Sequence, residues 1–428
     1  MSSTANPENR SRNVIAGCIG NVLEWYDFAL YGFFAPIIAK LFFPADNELT
    51  GLLATFGIFA VGFLMRPIGS ILFGILGDKV GRKKALEISV IMMAVPTTLI
   101  GVLPTYQSVG ILAPILLTVI RLIQGVSVGG EFTGSISYVV ENAPHPPPRR
   151  GFYGSWTVFS LLGGILLGSA VASIITKTFS EPDVQSFGWR IPFLLGLVIG
   201  IVGLFLRSGL EESPAFKKLK EAGQLSKTPI MDSFRYHWRE ILTVVGATCV
   251  GSINFYLIFV YLTTYLSTET HLMLAAALEI NTVSMLVLMA LTPVMGYMSD
   301  KFGRRPILII GCLILAIFSY PLFVVLTWNN FTYDLLSQFV FALGLAMIFG
   351  PFAAMMVELF PARIRMSALS IGYNIGFAIF GGTAPFVATY LIEATGNKLA
   401  PSFYLIAASI VSLIVFFIIR ETYNDKIG

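Results

Sequence analysis

Charge is scarce in this chain. Of its 428 residues only 12% are Asp, Glu, Lys or Arg, against roughly 25% in soluble domains. Cysteine and histidine number three each. Cys18, Cys249 and Cys312 all fall in apolar segments without metal-ligand spacing, so they read as buried free thiols, and a disulfide scaffold or Cys/His metal centre is excluded. The phosphate-cradling pattern Gly-x-x-x-x-Gly-Lys-[Ser/Thr] is missing. Neither a catalytic constellation nor a filter-like repeat is present, which leaves an enzyme or a conducting channel without support. No cofactor or metal is expected. The net charge of +4 does not point to nucleic acid, because the basic residues follow a membrane topology.

What is abundant is apolar surface. Hydrophobic residues make up 55% of the chain and the mean hydropathy is +0.78. A bilayer core takes about 20 apolar residues per helix. About twelve stretches qualify, starting near Asn13, Thr50, Ala85, Gly110, Phe152, Phe187, Glu240, Ala275, Pro306, Phe331, Ser367 and Pro401. The polar leader Met1 to Arg12 runs straight into the first of them, so no cleaved signal peptide is expected. With the N-terminus inside, the inner loops collect Lys79, Arg82, Lys83, Lys84, Arg149, Arg150, Lys217, Lys218, Lys227, Lys301, Arg304, Arg305, Arg363 and Arg365. The outer loops hold little beyond Lys40, Lys177, Arg190 and Lys398. This bias predicts both termini in the cytoplasm and an even number of spans.

The chain also repeats itself. GILGDKVGRKK at Gly74 to Lys84 returns as GYMSDKFGRRP at Gly296 to Pro306. A second skeleton, Glu-x-x-Pro followed by Arg, occurs in ENAPHPPPRRGFYGS from Glu141 and in ELFPARIRMS from Glu358. Two related halves around a central site are the pattern of a secondary transporter. The one long polar stretch, Arg207 to Arg239, divides the spans six and six. The expected organisation is a cytoplasmic tail over 1–12, six-helix bundles over 13–206 and 240–420, an amphipathic cytoplasmic linker over 207–239 and a short tail over 421–428. Gly164, Gly168, Gly381 and Gly382 are expected to let helices approach closely.

An ionisable group in mid-bilayer costs at least about 2.5–3.5 kcal/mol, so each one calls for a reason. At about 100° per residue, Asn21, Glu24, Asp27 and Tyr31 share one face of the first span, with Trp25 and Tyr26 pointing elsewhere. Two carboxylates one turn apart suit a reversible proton carrier, or alternatively a salt-bridged structural pair. In the fourth span Arg121, Gln124 and Glu131 fall within roughly 80° of arc. Arg121 either binds a substrate carboxylate or neutralises Glu24 or Asp27, and Glu131 is a further proton candidate nearer the cytoplasm. Arg66, before Pro67 in the second span, reads as one member of a structural ion pair or as a substrate contact.

The second half looks different. Its spans hold no comparable mid-membrane charge, with Glu279 near the outer end of the eighth. Asn254, Tyr261 and Tyr265 align on one face of the seventh span and Tyr373 and Asn374 lie in the eleventh, as candidate walls of a cavity. At the inner ends, Asp78, Arg82, Asp300 and Arg304 can pair with Glu141, Glu358, Arg363 or Arg365 when an inner gate closes.

The doubled Gly-x-x-x-Asp-Lys-x-Gly-Arg motif resembles the major facilitator superfamily. EWYDFALYG at Glu24, FLMRPIGSILFGILGDKVGRK at Phe63, RLIQGVSVGGEFTG at Arg121 and GWRIPFLLG at Gly188 resemble its metabolite:proton symporter branch. That branch includes transporters of proline and glycine betaine, 2-oxoglutarate, shikimate and citrate. The proline/betaine type is most similar, in APILLTVIRLIQGVSVGGEFTG and GFYGSW. Two features depart from it: the chain ends at Gly428, short of the C-terminal coiled coil of osmosensing members, and position 121 is Arg where Lys is expected, which suits an organic acid. The fifth span lacks the Gly-Pro pattern of drug/proton antiporters, which favours symport. The resemblance implies an all-α fold of about twelve spans, working as a monomer in the inner or plasma membrane. It implies co-transport of a small polar metabolite with H+ by alternating access. A zwitterionic osmolyte is the expected substrate, with an organic acid as rival and a non-transporting sensor as the alternative of another class.

Overall fold

The computed structural model describes residues 21–22, 24–26, 29–44, 48–79, 82–129, 131–141, 143, 149–208, 229–360 and 365–424. Side chains are described for these except 48, 73–79, 82–87, 89, 131, 134, 137–138, 141, 206–208, 229–234 and 365–367. Every regular element among the described residues is helical. Lipid offers the backbone no hydrogen bonds, so a long apolar stretch satisfies its N–H and C=O groups only by closing them within a helix.

The helices follow the stretches expected from the sequence. The first span ends in Ala35–Phe42, and the second is Glu48–Leu64 and Arg66–Lys79, interrupted at Met65 just before Pro67. The third is Arg82–Val102, the fourth Leu112–Ser127 followed by Glu131–Glu141, the fifth Arg150–Thr178 and the sixth Arg190–Ser208. In the second half the seventh begins at Pro229–Tyr256, the eighth is Leu274–Phe302, the ninth Arg304–Leu326 and the tenth Phe331–Glu358. The eleventh comprises Arg365–Gly376 and Ala384–Thr395, and the twelfth is Ala400–Ile418. Among the described residues, eight helices are long and apolar enough to cross a membrane, and the pair Glu181–Gly188 and Arg190–Phe205, bent by 45°, makes a ninth if taken as one span.

The seventh and eleventh spans share an irregularity. Each contains a five-residue π-helical stretch, Leu257–Tyr261 and Phe377–Gly381. A π turn takes an extra residue and shifts the phase of everything beyond it. The seventh span also starts inside the expected linker, because its helix runs back to Pro229 with a break at His237 (φ −132°, ψ 28°).

Packing repeats between the halves. The third span packs on the sixth as the ninth does on the twelfth. The halves meet where the fifth span packs on the eighth and tenth, and where the eleventh packs on the second and the inner part of the fourth. At the inner end of the fifth–eighth seam the backbones touch: a Cβ on Gly296 would lie 2.6 Å from the Gly151 carbonyl oxygen, so a small residue is required there. The motif glycine Gly303 has φ +97°, a conformation that favours glycine, and it turns the chain between the eighth and ninth spans. Of the glycines expected to serve packing, Gly164 lies against the Val22 backbone and Gly382 against the Phe63 side chain.

Candidate functional site

Between the two halves there is a small apolar cavity. Trp25, Phe132 and Leu161 line it from the first half, and Phe349, Tyr373 and Phe377 from the second. These rings also brace one another: Phe132 lies 5.1 Å from Tyr373, and Tyr373 4.3 Å from Phe377, between centroids. The π stretch of the eleventh span carries Phe377 into this wall.

Arg66 sits at the edge of the cavity. The break at Met65 sets it at the start of the inner half of the second span. Its guanidinium carbon lies 5.2 Å from the Trp25 ring, 5.8 Å from Phe377 and 6.0 Å from Tyr373, with Phe63 at 5.4 Å. The residue is 1% exposed. Among the described residues it makes no ion pair, so the expected structural pair is not found, and its Nε and Nη1 have no hydrogen-bond partner. Ring faces attract a cation but do not accept its hydrogen bonds in the manner of an oxyanion. A buried guanidinium with two N–H groups to spare is arranged to receive one.

Glu24 is buried next to Trp25. Tyr256 and Tyr373 are both within electrostatic reach of Glu24 and of Arg66. Tyr256 packs edge-on against Phe63 at 5.1 Å and Phe59 at 5.9 Å, and its hydroxyl has no hydrogen-bond partner among the described residues.

The other sequence candidates disperse. Asn21 donates to Ser135 and Ser160 at 3.3 Å each, inside the first bundle. Tyr31 donates to the Thr55 carbonyl at 3.0 Å, and its ring lies 4.1 Å from the Arg121 guanidinium. Arg121 donates to Gln124 Oε1 at 2.8 Å, and Gln124 to Thr97 at 2.6 Å. Tyr31, Arg121 and Gln124 therefore belong to one buried cluster beside Phe59, whose ring also packs on Tyr256, and Tyr256 is within electrostatic reach of Arg121. Asn254, Tyr261 and Tyr265 do not share a face, because the π stretch lies between the first and the last of them. Asn254 reaches Ser409 of the twelfth span at 3.5 Å, Tyr261 packs on Phe56 at 5.7 Å, and Tyr265 on Phe323 of the ninth at 5.3 Å. Asn374 crosses the interface and donates to the Gly129 carbonyl at 2.9 Å. Asp27 and Arg363 lie outside the described residues. Glu131, Asp78, Arg82 and Glu141 lie on described helices, but their side chains are outside the description.

Trp25, Phe132, Tyr256 and Phe377 are cavity or cavity-edge residues that the sequence reading missed, and Trp25 had been assigned to another face. The available signal was the position of Trp25 beside a membrane carboxylate. Asp334 was also missed: the second half does contain a buried carboxylate, 0% exposed, in the first turn of the tenth span.

The inner end carries a charged network. The Asp300 carboxylate accepts from the backbone N–H groups of Gly151 at 2.8 Å and Phe152 at 2.9 Å, capping the fifth span from the opposite half. Such first-turn amides have no intrahelical partner and favour an anion. Arg304 holds Asp300 at 2.7 Å and reaches Glu358 at 3.1 Å. Arg150 of the first half also meets Glu358, at 3.1 Å. The residues after the twelfth span close the network: Thr422 donates to Glu358 at 2.6 Å, and Glu421 accepts from the Arg304 and Arg305 N–H groups at 2.9 Å each. At the outer end the same two spans are joined by Lys177–Glu279 at 2.6 Å. The fifth and eighth spans are thus tied at both ends.

The chain matches the family model described as sugar (and other) transporter over residues 13–427. It is 36% identical over 420 residues to the proline/betaine transporter of Escherichia coli K12, covering 96% of this chain and 83% of that one. It is 37% identical over 431 residues to the glycine betaine/proline/ectoine/pipecolic acid transporter of Dickeya dadantii, covering 98% and 85%. Among solved structures it superposes on a partially occluded inward-open form of the Escherichia coli xylose transporter with a TM-score of 0.79 at 20% identity, over 97% of this chain and 99% of that one. The twelve-helix, two-bundle architecture is therefore that of a multi-pass membrane transporter, and the chain belongs to the sugar (and other) transporter family of the major facilitator superfamily.

Proposed function

We propose that this transporter is a proton-coupled symporter of a small zwitterionic osmolyte of the proline or glycine betaine type. The observation that carries the reading is Arg66, a buried cation with spare donors, facing a cavity built mostly of aromatic rings. A zwitterion divides its charges to match: its carboxylate takes the Arg66 N–H groups, and its ammonium lies against ring faces, the surface that recognises quaternary ammonium ions. A dicarboxylate fits less well, since Arg121, another buried arginine of this half, is already held by Gln124 and the Tyr31 ring. The names of the relatives support the same class.

In this reading Glu24, with Asp27, carries the proton: a carboxylate near the substrate cation and Arg66 couples the charge of the cavity to its own protonation. Asp300, Arg304, Glu358 and Arg150 latch the cytoplasmic gate, and Lys177 and Glu279 hold the outer seam. The two six-helix bundles rock about the cavity, the termini face the cytoplasm, and the monomer is the working unit. The test is uptake into proteoliposomes. An imposed pH gradient, acid outside, should drive accumulation of glycine betaine and proline, with protonophore abolishing it. Preferential uptake of 2-oxoglutarate or citrate, or accumulation indifferent to the gradient, would overturn the reading.

A further inference from the structure

Asp334 stands apart from everything used so far. It lies in the first turn of the tenth span, 0% exposed, and neither carboxylate oxygen has a hydrogen-bond donor among the described residues. The N-terminal amides of its own helix do not serve it: Asn330 Oδ1 takes the N–H groups of Thr332 and Tyr333. A helix dipole offsets only a small part of the cost of burying a bare anion. Gln338, one turn further along and 0% exposed, has no partner for its Oε1 among the described residues, and neither has the hydroxyl of Tyr265, which is within electrostatic reach of Asp334. These residues offer four unpartnered oxygens on two spans joined by the Gln338–Ile258 hydrogen bond, with no ion pair to any of them among the described residues.

We infer that Asp334, Gln338 and Tyr265 form a binding site for a small monovalent cation, H+ or Na+, separate from the central carboxylates of the first half. The titratable group facing Asp334 is Tyr265. The other charged groups at the outer end of this half are paired, Glu269, itself within electrostatic reach of Tyr265, with Lys398 at 3.6 Å and Glu279 with Lys177, while His271 occupies the turn after the seventh span. The site is wired to the cavity. Gln338 Nε2 donates at 3.2 Å to the carbonyl of Ile258, inside the π stretch of the seventh span. Tyr256 immediately precedes that stretch and stands at the cavity edge. Loading the cation neutralises Asp334 and draws in Gln338 Oε1, which fixes the amide that holds the π turn. An empty, charged site leaves that turn free to rewind, so occupancy on the outer side selects the form of the seventh span that presents Tyr256.

The experiment uses the purified full chain without substrate. Thermal midpoints are read while NaCl replaces N-methylglucamine chloride at fixed pH, and while pH is lowered in sodium-free buffer. Infrared difference spectra report a protonated carboxyl group. Asp334→Asn mimics the loaded site: a saturable stabilisation by Na+ in the wild type that this variant loses identifies Na+. A carboxyl infrared band and an acid stabilisation that it loses identify H+. Should Asp334→Asn not fold, Tyr265→Phe, which removes a single hydroxyl, should move the midpoint of the same titration severalfold. Sodium and acid responses of wild-type size in Asp334→Asn, no response in the wild type, or an unmoved midpoint in Tyr265→Phe overturns the inference.

Discussion

Replacing Arg66 by Gln separates binding from folding, because its guanidinium has spare donors before any substrate arrives. In the substrate-free protein the variant gives up cation–π contacts with Trp25, Phe63, Tyr373 and Phe377. Such contacts are worth about 0.5–2 kcal/mol, and removing a cation that has no ion-pair partner among the described residues relieves a desolvation cost of several kcal/mol per ion. The two effects oppose, so Arg66→Gln should fold and keep a melting profile near that of the wild type. Binding is another matter. Truncating one partner of a buried charged pair costs about 2–5 kcal/mol, which is roughly 30-fold to several thousand-fold in Kd. Equilibrium binding of labelled glycine betaine in detergent, with thermal unfolding measured on the same sample, reads both quantities. Betaine affinity within about threefold of the wild type, a difference of under 1 kcal/mol, would refute the assignment of Arg66 as carboxylate anchor. A variant that unfolds would instead show that the guanidinium is a structural cation.

Two further expectations concern the cavity and the gate. Trp25→Ala removes a ring shared by the cavity and Arg66, and should weaken glycine betaine more than proline, by about 0.5–2 kcal/mol, because the quaternary ammonium gains most from ring faces; competition binding with the two ligands checks the ratio. Asp300→Asn leaves two first-turn amides of the fifth span without their anion and leaves Arg304 only Glu358, at a cost of about 3–5 kcal/mol to the closed inner gate. It should raise the labelling of a cysteine placed on the cytoplasmic side of the cavity, and unchanged labelling would remove Asp300 from the latch.

The spans and the two-fold plan were open to sequence reading because the bilayer enforces them: each apolar stretch must be a helix, and the doubled motif sets the halves in correspondence. The cavity was much less legible. The alignment of Asn254 with Tyr261 and Tyr265 assumed an uninterrupted 100° step, and the π stretch from Leu257 to Tyr261 broke that step. Nothing in LIFVY announces it. Trp25 was set aside by the same regular-helix projection, although it lines the cavity. Arg66 was read as one member of a structural ion pair or as a substrate contact; its surroundings are rings contributed by the first, second and eleventh spans, a convergence only the tertiary fold creates. Asp334 escaped because three residues from a helix start normally means the interface, and it is packing that buries it.

The latch at the inner gate has a different kind of consequence. Asp300 reads the first half through the amides of Gly151 and Phe152, groups that nearly every residue type supplies. Of the two partners in this contact, one is therefore written in the sequence and the other is not. Substitution on the first-half side can change bulk at the seam but cannot delete the donors, short of proline, and no compensating change opposite Asp300 would ever be selected. A search for residues that vary together across the two halves will pass over this contact, although it joins them directly.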